Sequence, residues 1–203
     1  MVKILITGSS IASEEFYYGY DRWPTLLRKS LEEDSGIYNV AISGATTKHL
    51  LDRSEVEFKH RASDIIIIYI GTNDSRYNYK TLKSVETSKE MFEKNMKKLI
   101  KLAEKYTKKV VILGSLPCNE LKTTPTIWSE TEYFTNRSIG DYNKIKELVC
   151  KEENILFLNL FREFNNLNYK ELLEEKDGLH PNRKGHQKIF ELVRKFLEDN
   201  KLI

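Results

Sequence analysis

Four isoleucines in a row, Ile65-Ile66-Ile67-Ile68, restrict the fold of this chain more than any other stretch. β-branched side chains are stiff and fit a pleated surface. Neighbours along a strand point to opposite faces, so an unbroken apolar run predicts burial on both faces. Such a strand belongs inside a sheet covered by helices on each side. The run extends over 65–70, and four other short apolar runs have the length to pair with it: 2–7, 38–42, 110–113 and 155–158. Between them, apolar residues recur at helical spacing. Trp23, Leu26, Leu27 and Leu31 form one set, and Met91, Phe92, Met96, Leu99, Ile100 and Ala103 another. Similar patterns cover 142–150 and 184–197. Strands alternating with helices predict an α/β fold with a parallel sheet and helices on both faces. Ligands in such folds bind beyond the carboxyl ends of the strands, so the loops after the strands are where chemistry is expected.

Charge and cysteine usage narrow the function classes. The 33 basic and 30 acidic residues leave a net charge of +3, too balanced to argue for a nucleic-acid partner. Lys97, Lys98 and Lys101 read as the solvated face of a helix. No apolar run approaches the ~18 residues of a membrane span, so no stable membrane association is expected. The apolar stretch after Met1 is too short for a secretory leader and lacks a cleavage site. Cys118 and Cys150 have no metal-type spacing and read as free thiols of a cytoplasmic protein. The four histidines also lack zinc-ligand spacing, and His49 and His186 read as structural or surface residues. No metal and no organic cofactor is expected.

The loops after the strands carry the chemistry. Gly8-Ser9-Ser10-Ile11 follows the first strand, Ser43-Gly44-Ala45 the second and Gly71-Thr72-Asn73-Asp74 the third. Before the last helix the chain reads Asp177-Gly178-Leu179-His180-Pro181. An acid that reaches one nitrogen of a histidine leaves the other free to take a proton from a nucleophile. The phosphate-binding patterns Gly-x-x-x-x-Gly-Lys-Ser/Thr and Gly-x-Gly-x-x-Gly are missing, as is the Gly-x-Ser-x-Gly elbow.

These four blocks, in this order, resemble those of the SGNH hydrolases, also called the GDSL esterase/lipase family. Trp23-Pro24 with Leu26 and Leu27 fits the same pattern. The resemblance implies one such domain over residues 1–203, with a flavodoxin-like three-layer α/β/α sandwich and a five-stranded parallel sheet. It implies Ser10 as nucleophile, with Asp177 and His180 completing a triad. It further implies the Ser10 N–H, the Gly44 N–H and the Asn73 side chain as oxyanion donors. Ser9 stands where the family usually has an aspartate, which places a second hydroxyl beside Ser10; Ser10 keeps the family's offset from Gly8.

The expected activity is hydrolysis of a small soluble carboxylic ester through an acyl-enzyme, an O-acetylated carbohydrate being the favoured guess. The alternatives are a thioesterase or lysophospholipase, or a binding module that kept the fold and lost efficient catalysis. Three long aperiodic segments, 12–21, 75–87 and 115–136, are expected at the active edge. Their aromatic residues, Tyr17, Tyr77, Trp128 and Tyr133 among them, are candidates for substrate contact.

Overall fold

The isoleucine run is the middle strand of a five-stranded parallel sheet. The computed structural model describes residues 1–15, 19–79 and 84–203. Its main strands are β1 (Lys3–Gly8), β2 (Gly36–Asn39), β3 (Ile65–Tyr69), β6 (Lys109–Leu113) and β8 (Leu156–Leu158), in the order β2-β1-β3-β6-β8. All neighbours are parallel, and the register sets Ile66 between Leu5 and Val110. Every residue of β3 is buried. Ile65, Ile67 and Tyr69 face one layer, while Ile66 and Ile68 face the other.

On the first face lie α1 (Trp23–Ser30), contributing Trp23 and Leu27, and α7 (Arg183–Asp199), contributing Ile189, Val193 and Leu197. On the second lie α2 (Thr47–Arg61), α3 (Lys89–Glu104) and α5 (Asn136–Glu152). From these, Phe58, Phe92, Met96, Leu99 and Tyr142 pack on the sheet. Each fully buried aliphatic or aromatic side chain contributes about 1.5–3 kcal/mol relative to exposure. The layers are those of an α/β/α sandwich, as expected.

Two parts of the fold depart from the periodicity. No helix is expected over 47–61, yet α2 forms there. Its buried positions are Thr47, Leu50, Ser54 and Phe58, at helical spacing but half of them polar. Ser54 satisfies its hydroxyl on the Leu50 carbonyl at 2.6 Å. The aperiodic segments also carry structure. β4 (Tyr77–Asn78), β5 (Ser84–Val85) and β7 (Glu132–Tyr133) make a small antiparallel sheet in the order β5-β4-β7. Shorter helices, α4 (Glu120–Thr123) and α6 (Leu160–Asn165), and a 3₁₀ turn (Tyr169–Leu172) complete the described chain. Among the described residues, no helix is long and apolar enough to cross a membrane.

Candidate active site

The turn that ends β1 is forced by close packing. Gly8 has φ +142°, and a Cβ on it would lie 1.8 Å from the Tyr69 carbonyl oxygen. The chain therefore leaves the sheet tight against β3, with the Ser9 N–H donating to that same oxygen at 3.0 Å. The two hydroxyls then part. Ser9 is fully buried, and its Oγ has no hydrogen-bond partner among the described residues. Ser10 is partly exposed and faces the far end of the chain.

Ser10 Oγ lies 2.9 Å from Nε2 of His180, and His180 Nδ1 lies 2.8 Å from Asp177 Oδ2. The other oxygen of Asp177 accepts the backbone N–H groups of Leu179 and His180 at 2.8 and 2.9 Å. Burial opposes ionisation of Asp177, but the His180 ring and these two N–H groups outweigh it and hold its carboxyl below the ordinary value. A carboxylate so placed fixes Nδ1 of the ring as the protonated nitrogen and leaves the Nε2 lone pair toward Ser10. The turn is itself tied down: the Gly178 carbonyl accepts from Asn119 N–H at 2.7 Å, and the His180 carbonyl from Glu174 N–H at 2.7 Å.

Opposite the serine lie the second and third loops. Gly44 has φ +77°, a region that favours glycine, with open space around it. Among the described residues, neither the Ser10 nor the Gly44 backbone N–H has a partner. Asn73 donates one amide hydrogen to the Ala45 carbonyl at 3.0 Å, which leaves the second for a ligand. Its neighbour Asp74 is fully buried and anchors this loop to the start of α2. It accepts the Thr47 N–H at 3.0 Å and the Thr47 hydroxyl at 2.6 Å. Burial raises the Asp74 pKa, and its hydrogen bonds oppose that rise.

Ser10, Gly44, Asn73 and His180 line one open cleft of about 240 Å³. Trp128 lines it too, half-exposed, with its ring centroid 6.2 Å from that of His180. Its indole N–H donates to Glu132 Oε2 at 2.9 Å, and the same oxygen lies 3.1 Å from Arg76 Nη1. Tyr77 and Tyr133 are not part of the lining. They are register partners across β4 and β7, and Tyr133 packs edge-on against Tyr79 at 4.8 Å, so the rings cover one another rather than the cleft. Tyr17, with Phe16 and Tyr18, lies outside the described residues. Ser43, of the second block, and Phe134, an aromatic of the 115–136 segment, also line the cleft, as do Arg22, Arg76 and Leu179, which were not singled out. Of these last three, only Leu179 carries a sequence signal, through its place inside the Asp177–His180 turn.

Comparison with known proteins shows the family. Residues 6–188 match the model of the GDSL-like lipase/acylhydrolase family. A lipase/acylhydrolase from Enterococcus faecalis superposes with a TM-score of 0.80 at 19% identity, covering 98% of this chain and 97% of that one. A catalytic mutant of an acetylxylan esterase from Geobacillus stearothermophilus has a TM-score of 0.73 at 20% identity, covering 97% and 94%. Another acetyl xylan esterase gives 0.76 at 19% identity, covering 96% and 98%. No curated protein matches the chain. The four loop blocks fall inside the matched span, and the chain belongs to the GDSL-like lipase/acylhydrolase family, as a carboxylic ester hydrolase of the serine type.

Proposed function

We propose that the protein cleaves a small soluble carboxylic ester through a Ser10–His180–Asp177 triad and an acyl-enzyme. The observation that carries this reading is the hydrogen-bonded line from Ser10 Oγ through His180 to Asp177, at 2.9 and 2.8 Å. Ser10 Oγ attacks the ester carbonyl carbon as His180 Nε2 takes its proton. Asp177 stabilises the imidazolium that forms. The carbonyl oxygen becomes an oxyanion and is held by the Ser10 and Gly44 N–H groups and the free amide hydrogen of Asn73. The intermediate collapses, the C–O bond to the alcohol breaks, and His180 returns the proton to the leaving oxygen. Water, deprotonated by the same nitrogen, then releases the acid and restores Ser10.

A small acyl group and a polar alcohol suit the cleft. Its volume of about 240 Å³ is below the usual range for drug-sized ligands. A half-exposed indole beside the base, with its N–H already committed, offers a flat face to a sugar ring. The acetyl xylan esterases among the fold neighbours make an O-acetylated sugar the first substrate to try.

The test combines a fluorophosphonate label with two serine variants. The wild type should be labelled at Ser10; Ser10→Ala should lose labelling and esterase activity, while Ser9→Ala keeps a good part of both. An inactive Ser9→Ala beside an active Ser10→Ala would reverse the assignment. Among p-nitrophenyl esters, kcat/KM should be highest for short acyl chains. A steady rise beyond about eight carbons, at ~0.8 kcal/mol per buried methylene, would point to a lipid substrate instead.

A further inference from the structure

Arg22, the residue before α1, lines the cleft yet is only 6% exposed. Its Nη2 donates to the Ser10 carbonyl at 2.7 Å, and its Nε donates to Nε2 of His186 at 3.3 Å. His186 sits in the first turns of α7 and is 1% exposed. The Trp23 N–H faces the other ring nitrogen of His186 at 3.4 Å. A neutral imidazole has a single lone-pair nitrogen, and the charged guanidinium is the stronger claimant for it. Burial, with the charges of Arg22 and His180 behind it, pushes the His186 pKa down to about 3, so the ring stays an acceptor at working pH.

We propose that Arg22, held by His186, is a positioning residue that locks the nucleophile turn to the helix following the catalytic base, and so sets the Ser10–His180 geometry. The inference rests on Ser10 as nucleophile and His180 as base. These residues are 170 positions apart in the chain and ride on separate segments. Their mutual hydrogen bond must break and re-form during turnover, so it cannot by itself keep them in register. The Arg22 tie does not take part in the chemistry. It runs from the partly buried Ser10 main chain, through the nearly buried Arg22 side chain, to the buried His186 of α7, which begins three residues after His180. Guanidinium keeps its proton at any working pH, so the tie is constant. Hydrogen bonds with a charged donor are also about twice as strong as neutral ones. Displacing a nucleophile by about 1 Å costs on the order of 100-fold in rate.

The experiment compares Arg22→Met, Arg22→Lys, His186→Gln and His186→Leu in the full chain. The readouts are steady-state kinetics on p-nitrophenyl acetate and the rate of fluorophosphonate labelling, each normalised to the folded fraction by circular dichroism. Arg22→Met should lower kcat and the labelling rate together by roughly 10- to 100-fold with KM within about threefold. Arg22→Lys should recover part of the loss, because an ammonium can reach the Ser10 carbonyl but cannot at the same time hold His186. His186→Gln, which keeps an acceptor, should lose less than His186→Leu. The Arg22→Met/His186→Leu double variant should be no slower than Arg22→Met alone. Unchanged kcat in folded Arg22→Met overturns the proposal. A raised KM at unchanged kcat overturns it too, since Arg22 would then be a substrate contact. If Arg22→Met does not fold, Arg22→Lys and His186→Gln decide, and wild-type kcat in both overturns it. A wild type that is not labelled at Ser10 removes the functional reading and this inference together. Equal labelling of wild type and Arg22→Met removes only this inference.

Discussion

Asn73 shows how much one side chain can be asked to do. One amide hydrogen holds the Ala45 carbonyl at 3.0 Å, and on the proposed mechanism the other is offered to the oxyanion. Because the first bond fixes the amide before substrate arrives, the second needs no reorganisation when charge develops. Asn73→Ala should therefore lower kcat by about 100- to 1000-fold on a short ester, with little change in KM. A larger effect on KM than on kcat, read from steady-state kinetics, would place Asn73 in ground-state binding. The place of Asn73 in the cleft was legible because it sits in a short block directly after a strand, where the backbone dictates it. Arg22 and Arg76 were not. A guanidinium ends a long flexible side chain, and where it lands depends on tertiary neighbours: for Arg22 the Ser10 carbonyl and His186, for Arg76 the carboxylates of Glu86 and Glu132. Ser9 carried another limit. Its hydroxyl was visible, but only the tight exit at Gly8 shows that it turns into the interior and leaves the cleft to Ser10.

The helix α7 is held at its start by one side chain with three hydrogen bonds. Asn182 Oδ1 accepts the Gly185 N–H at 3.0 Å, and its amide donates to the Glu171 and Leu173 carbonyls, both at 2.9 Å. It thus caps the helix and pins the strand-like stretch beneath His180. Asn182→Ala removes the cap and leaves two carbonyls short of a partner, so a loss of about 2 kcal/mol is expected. Urea unfolding should show a lower midpoint at unchanged m. The main strands were legible because β-branched runs buried on both faces have few other homes. α2 was not, because Thr47 and Ser54 occupy half of its buried stripe and blur the period. The small sheet of β4, β5 and β7 was invisible for a different reason. Strands of two residues are too short to show alternation, and they exist only because distant segments meet, Tyr77 opposite both Val85 and Tyr133.

Across the molecule, one lysine buried at the ends of β3 and β6 ties stability to pH. Lys146 of α5 is fully buried and donates to the Ile70 and Leu113 carbonyls at 3.0 and 3.2 Å and to Ser115 Oγ at 3.0 Å. Burial pushes its pKa down to about 7 from 10.5, against the opposing pull of Cys150 and Asp74. Ser115 can accept from the ammonium or, by rotating, donate to the amine, so both protonation states are satisfied. Between these two values the unfolded chain keeps a proton that the folded one has released, and stability therefore rises with pH. Relative to Lys146→Met, the wild type should gain at most about 1.4 kcal/mol per pH unit from pH 7 to about 8.5, where unfolded cysteines begin to ionise. A constant difference between the two unfolding curves over that window would show that Lys146 does not titrate there. The three-layer architecture itself was legible from the order of runs. The coupling of Lys146 to the third loop was not, because a lysine in an amphipathic helix reads as solvated until the strand ends are seen closing over it. The separation of Ser10 from His180 has one last consequence, for synthesis. Ser10 is synthesised 170 residues before His180, so with the proposed triad a nascent chain hydrolyses no ester until the segment carrying His180 has emerged and docked.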